Sequence, residues 1–300
     1  MSVVEECGYV AAPQKKKVER FRLMVIKYRA HGIALEENQG FIASIIDRIE
    51  SECRRFAFDL IMCNCEAKTA ETTIRELMQN PPDGVILIGT ELREADYPLL
   101  RLFTVPVVVL DNNIVLDNVD SVVMDNRHLM QKTVRYLYEL GYRDIGYFKF
   151  NLPVNNCDER YEGYLEELGR LGLTPPEPVY LNPTVDGACE DMKNLIKSGS
   201  YVPHGAAVAD NDTVVIGAVK AIREAGYSIP EDLSVVGFDD IPFSAVTMPA
   251  LTTMRISRSA MGTLAVDMIR KRIKHPDWPG MHMQIGGKLI VRNSTRPVDG

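Results

Sequence analysis

The stretch Ile229 to Asp240, IPEDLSVVGFDD, limits the folds open to this chain more than any other. Leu233 to Phe238 is a short apolar run that stops abruptly at two carboxylates, Asp239 and Asp240. A run that is apolar on both faces fits a strand covered from both sides, as in a parallel sheet flanked by helices. Upstream, Val215, Val219, Ile222 and Ala225 recur at helical intervals across 214–227. Gly226 suits a C-cap and Pro230 blocks any continuation of that helix. The local order is therefore helix, tight turn, buried strand, acid pair. In open α/β sheets ligands sit beyond the carboxyl ends of the strands, which is where Asp239 and Asp240 would lie. An acid pair by itself reads first as the start of a surface turn.

The same alternation runs through the chain. Strands are expected at 21–28, 57–64, 84–89, 105–111, 119–124 and 145–150, separated by helices at 41–56, from Thr69, at 97–103 and at 130–140. A second series follows: helix 158–171, strand 179–181, helix 187–197, strand 206–209, helix 214–227, the strand at 233–238, helix 257–273 and strand 287–291. Strands alternating with helices of this length imply parallel, doubly wound sheets. Two consecutive series imply an α/β protein of two Rossmann-like lobes with a cleft between them.

A net charge of −7 argues against a nucleic-acid surface on this chain, since phosphate contacts need clustered Lys and Arg. Lys15, Lys16 and Lys17 are the local exception. No apolar run approaches the ~20 residues of a membrane span. The start, MSVVEECGYV, is acidic where a signal peptide would be basic, so a cytoplasmic location is expected. The six cysteines are scattered and lack metal-ligand spacing, which points to reduced, structural thiols and no metal.

The loop after the first strand, VIKYRAHG, has neither a dinucleotide-binding glycine motif nor a P-loop, and no G-x-S-x-G elbow occurs. No nucleophile–base pair is found, so neither an enzyme nor a cofactor is expected. What recurs is polar residues at strand ends: Asn112 and Asn113, Asp125 and Asn126, Asn211 and Asp212, Asp239 and Asp240. With Arg160, these suit a hydroxyl-rich ligand, because Asp accepts hydrogen bonds, Arg donates them and Asn does both. Phe238 or Tyr28 could stack on a ring. Arg160 alone reads first as a surface helix residue.

Several stretches carry a family resemblance over nearly the whole chain: GYVAAP, PPDGVILIG, VPVVVLDNN, VVMDN, YLYELGYRDIGYF, ERYEGYLEELGRLGL, the run from Ala209 to Ser244, PALTTMRIS and VRNSTRP. The chain resembles the effector-binding region of the bacterial LacI/GalR transcription regulators. The resemblance implies a type I periplasmic-binding-protein-like fold, its lobes joined by three crossovers near Tyr147, Thr253 and Gln284. The lobes would then be 20–146 plus 254–283 and 147–253 plus 284–300, with the helix at 257–273 returning to the first. It implies a small effector, often a sugar or a nucleobase, bound between the lobes, and a sugar is the first expectation here. By motif, Arg160, Asn211 and Asp239 fall where the family contacts its ligand, and Asn112 and Asp125 match less closely. It also implies a homodimer, formed largely through the N-terminal lobe. Operator DNA would be bound only through a preceding helix-turn-helix domain of roughly 50–60 residues, of which 1–19 hold the tail and hinge. One departure is the loop after the first strand, where Asn38-Gln39-Gly40-Phe41-Ile42 follows an unusual RAHGIALEE. A transporter's solute-binding protein is the alternative of the same fold, and a sugar-processing enzyme a second.

Overall fold

The computed structural model describes residues 21–33 and 40–298. The expected helix remnant ending at Gly8, the linker with Lys15, Lys16 and Lys17, and the pair Asn38 and Gln39 lie outside the described residues. Strands and helices alternate in the order β1 (Arg22–Arg29), α1 (Phe41–Arg55), β2 (Asp59–Glu66), α2 (Ala70–Leu77), β3 (Gly84–Ile88), β4 (Val107–Leu110), β5 (Asp120–Met124), α3 (Asn126–Glu139) and β6 (Ile145–Phe150). They continue with α4 (Asn155–Arg170), β7 (Val179–Leu181), α5 (Val185–Ser198), β8 (Ala206–Ala209), α6 (Asp212–Glu224), β9 (Ser234–Asp239), β10 (Thr252–Ile256), α7 (Arg258–Lys274), β11 (His282–Ile285) and β12 (Gly287–Ile290). No helix among the described residues is long and apolar enough to cross a membrane.

The strands form two sheets, β2-β1-β3-β4-β5-β11 and β7-β6-β8-β9-β10-β12. Pairing between these strands is parallel except for β10 with β12. Central strands are buried along their whole length, as the unbroken apolar runs of β3 and β4 require, and β9 is buried throughout as well, from Ser234 to Asp239. Two of the helix pairs close on glycine. A Cβ on Gly163 of α4 would stand 2.3 Å from the Arg127 carbonyl of α3, and one on Gly217 of α6 would stand 2.3 Å from the Val185 carbonyl of α5. One apolar cluster runs from Ile45, Ile49 and Ile269 beneath the first sheet to Leu137, Tyr147 and Val208 in the second lobe, so the halves share a core.

The crossings fall at strand ends. Tyr147 lies inside β6, Thr253 inside β10 and Gln284 inside β11, and ladder hydrogen bonds hold each of those strands within one sheet. The first crossing precedes α3, because its buried face of Leu129, Met130, Val134 and Leu137 packs against α4 and the second sheet. The second falls between Ile256 and Arg258, and the third at Gly286. α7 returns to the first lobe and packs on α1, β3, β4 and β5. By sheet membership and helix packing, the elements of 22–124 and 258–285 go with the first sheet and those of 126–256 and 287–290 with the second.

β10 and β11 are absent from the sequence reading for a physical reason. The threonines of β10 are buried only because their polar groups are met: Thr252 N donates to Ser294 Oγ at 2.8 Å and Thr253 Oγ1 to Asp212 Oδ1 at 2.6 Å. β11 is a polar edge strand, largely exposed.

Candidate effector site

The carboxyl edges of the two sheets face each other across a cavity of about 30 Å³. Its polar wall is Thr90, Asp111, Asn156, Arg160, Asn211 and Asp239, and its apolar wall is Phe41, Met124, Phe150, Val154 and Cys157. Thr90, Asp111 and Met124 end or follow strands of the first sheet. Phe150, Asn211 and Asp239 end or follow strands of the second, and Arg160 comes from the second turn of α4. Larger hollows lie elsewhere, at about 440 Å³ along α6 and about 650 Å³ beside Leu116–Val119. Neither brings charged groups of both lobes together.

Arg160 organises the cavity. It is 4% exposed. Its Nε donates to Asn126 Oδ1 at 2.9 Å, one Nη to the Asp210 carbonyl, and the other Nη lies 3.4 Å from Asp239 Oδ1 and 2.9 Å from the Met124 sulfur. Its guanidinium stacks 3.9 Å from the centre of the Phe238 ring. Burial opposes its charge, but Asp239 and Asp210 more than offset that and hold its pKa above the ordinary arginine value.

Asp111, from the first lobe, accepts from Thr90 Oγ1 at 2.6 Å and from Asn156 Nδ2 at 3.0 Å. Burial raises its pKa to about 7, aided by the nearby charge of Asp239 and opposed by its hydrogen bonds and by Arg160. The two facing acids share an unusual backbone: φ is +66° at Asp111 and +102° at Asp239. Non-glycine residues adopt the left-handed region at a cost and cluster where strain serves a site.

Behind this wall, Asp212 accepts from Ser244 Oγ at 2.6 Å, Thr253 Oγ1 at 2.6 Å and Ile241 N at 3.0 Å, and burial raises its pKa to about 7 as well. A carboxyl raised in the folded state binds a proton there at pH values where the unfolded chain has released it. Stability therefore falls as pH rises from about 4 through 7. With Asp111 and Asp212 both shifted, thermal melts should show Tm dropping between pH 6 and pH 8, by roughly 5 °C for a cost of about 1 kcal/mol per group. A Tm flat or rising across that interval would contradict the burial of both acids.

Of the residues expected from sequence, Arg160, Asn211 and Asp239 meet at the cavity and the others do not line it. Asn211 also caps α6, accepting from Val214 N at 3.1 Å. Phe238 is fully buried beneath Arg160 and supports that side chain. Asn112 is fully buried and donates to the carbonyls of Gly89 and Leu92 at 2.9 and 2.8 Å, which ties two loops together. Asp125 caps α3 by accepting from His128 N at 3.3 Å. Tyr28 sits in the core between the first sheet and α2, where burial holds its hydroxyl well above the usual tyrosine range. Asp111 and Asn156, which sequence does not single out, each stand within a few positions of a residue that it does, whereas Asn126, one of the expected strand-end residues, acts on the site through Arg160. Only backbone twist and helix phase separate Asp111 and Asn156 from those neighbours.

Among the described residues no cluster of histidine, cysteine or acidic side chains could hold a metal, and Cys53, Cys63, Cys65, Cys157 and Cys189 are free thiols. A family model described as a periplasmic binding protein-like domain matches residues 134–295. The HTH-type transcriptional repressor PurR of Haemophilus influenzae (strain PittEE) is 30% identical over 274 residues, which cover 86% of this chain and 78% of that protein. The crystal structure of a LacI transcriptional regulator from a Rhodococcus species superposes with a TM-score of 0.76 at 25% identity, covering 92% of this chain and 99% of that one. The chain belongs to the LacI/GalR family of transcriptional regulators. In family terms it is the ligand-binding region, and the relatives it matches are repressors, not enzymes. A LacI family regulator from Enterococcus faecium with bound ribose shares the fold, with a TM-score of 0.76, 23% identity, and coverage of 92% of this chain and all of that one.

Proposed function

We propose that this region senses a small, uncharged, hydroxyl-rich effector, a sugar in the first instance, held between the lobes by Asp111, Asn156, Arg160, Asn211 and Asp239. The observation behind this reading is that a carboxylate from each lobe and one buried guanidinium converge on a single cavity. Sugar hydroxyls donate to Asp111 and Asp239, accept from Arg160, and do both with the two asparagines. The rings of Phe41 and Phe150 supply apolar faces. The ribose-bound relative supports the ligand class.

The cavity is too small for a sugar ring, so the lobes part to admit one. Binding then favours one inter-lobe arrangement over the other, and a DNA-reading domain attached before residue 20 would be repositioned. Dimerisation belongs to the same reading: β2 is the edge strand of the first sheet opposite β11 and leaves Ile61 and Met62 exposed. A solute-binding protein would share this fold, and no observation favours it.

A thermal-shift screen of sugars and nucleosides tests the reading. One member should raise the wild-type Tm, by an amount equivalent to about 2.7 kcal/mol at a hundredfold excess over Kd. Asp111→Asn and Asp239→Asn should lose most of that shift. Sedimentation of the same samples should give a dimer. A flat screen, or variants that respond like the wild type, would overturn the effector site, and a monomer would overturn the assembly.

A further inference from the structure

Glu91 follows the cavity residue Thr90 and is 1% exposed. Its Oε2 accepts from three consecutive backbone N–H groups, those of Ala30, His31 and Gly32, at 2.8, 2.9 and 2.8 Å. Oε1 lies 3.2 Å from His31 Nδ1. Successive amides aimed at one point form a nest, a backbone concavity suited to anions. Gly32 makes the turn possible with φ +79°. A side-chain Cβ there would be strained, and it would also stand 2.9 Å from the Arg29 guanidinium.

The location gives the nest its meaning. β1 and β3 are neighbours in the sheet, so residues 30–32 and Glu91 share the carboxyl edge that carries Thr90. Phe41, the first residue of α1, is a wall residue of the same cavity. A buried carboxylate costs several kcal/mol unless its charge is met, and here the amides of a loop meet it.

We propose that the Glu91 carboxylate is an internal occupant of an anion cradle on the rim of the effector site. It sets residues 30–32 in place before any ligand arrives and restricts the site to effectors that lack a phosphate or carboxylate at that end. The restriction on ligand class rests on the reading of the cavity as the effector site, whereas the filled cradle does not. Asp111 and Asp239 act in the same sense, since an anionic ligand group near them would meet like charge.

The test has two arms. In the first, Glu91→Ala and Glu91→Gln are melted in sodium acetate and in sodium chloride of equal ionic strength. Glu91→Ala should melt about 5 °C below the wild type and regain at least half of that loss, saturably, in acetate, whose carboxylate fits the emptied nest. Glu91→Gln keeps the volume without the charge. It should melt below the wild type and be indifferent to acetate. Either variant melting like the wild type, or Glu91→Ala indifferent to acetate, would overturn the cradle. Should the alanine variant fail to fold, the glutamine variant alone decides through its Tm.

In the second arm the wild type is screened against D-ribose 5-phosphate and D-glucose 6-phosphate beside the free sugars. No phosphate ester should raise Tm, and a rise with either would overturn the restriction. Acetate rescue with a flat free-sugar screen would leave the cradle standing and remove the effector reading instead.

Discussion

Arg160→Ala melts far below the wild type, by roughly 10 °C, and no longer responds to the effector. The stability loss follows from what the guanidinium leaves behind: Asp239, Asn126 Oδ1 and the Asp210 carbonyl, all buried, lose a donor at once. Removing one member of a buried ion pair costs about 3–5 kcal/mol, which in a chain of this size is a Tm change of that order. Arg160→Met separates the two consequences. Its thioether fills much of the space over Phe238 and restores part of the packing, but it donates no hydrogen bond. It should recover some of the lost Tm and none of the effector response. An Arg160→Met variant that binds as tightly as the wild type would show that the guanidinium is structural only.

Arg272→Ala is the second large loss, and it should leave effector binding untouched. The Arg272 guanidinium is 6% exposed and grips Asp120 with Nε at 2.9 Å and Nη at 2.6 Å. It also donates to the carbonyls of Pro279 at 2.7 Å and of Trp278. Asp120 is fully buried and accepts in addition from Met281 N at 2.8 Å, so this cluster docks the chain after α7 onto β5 and leads into β11. Losing the arginine strands the carboxylate at a cost of about 3–5 kcal/mol. Asp120 begins β5, whereas the cavity proposed as the effector site lies past the other end of that strand, at Met124. Arg272→Ala should therefore lower Tm by roughly 10 °C while the ligand-induced shift stays within error of the wild type. A lost shift would mean that the two ends of the first lobe are coupled.

The contrast between these two arginines marks what a sequence makes legible. Both strand–helix series were readable because full burial writes itself as unbroken apolar runs, as in VVVL and GVILI. Sequence alone starts α3, α4 and α6 late because their first turns are polar: Asn126, Asn155, Asn156 and Asp212 look like loop until their capping and inter-helix bonds are seen. At the site, Asp239 and Arg160 stood out as charges at a strand end and on a helix. Asp111 did not, because its left-handed backbone turns it into the cavity while its neighbour Asn112 turns into a loop. Alternation of side chains along a strand cannot foretell that reversal. Glu91 was invisible for a related reason, since its partners are backbone amides that any sequence could supply.

A crystal structure of the chain with the effector from the screen decides whether the crevice is the sensor. Density for the ligand should lie between the sheets' carboxyl edges, within hydrogen-bond distance of Asp111 from one lobe and of Arg160 and Asp239 from the other, with the lobes rotated from the arrangement seen here. Ligand density confined to another hollow, such as the groove along α6, with Arg160 still bridging Asn126 and Asp239, would contradict it.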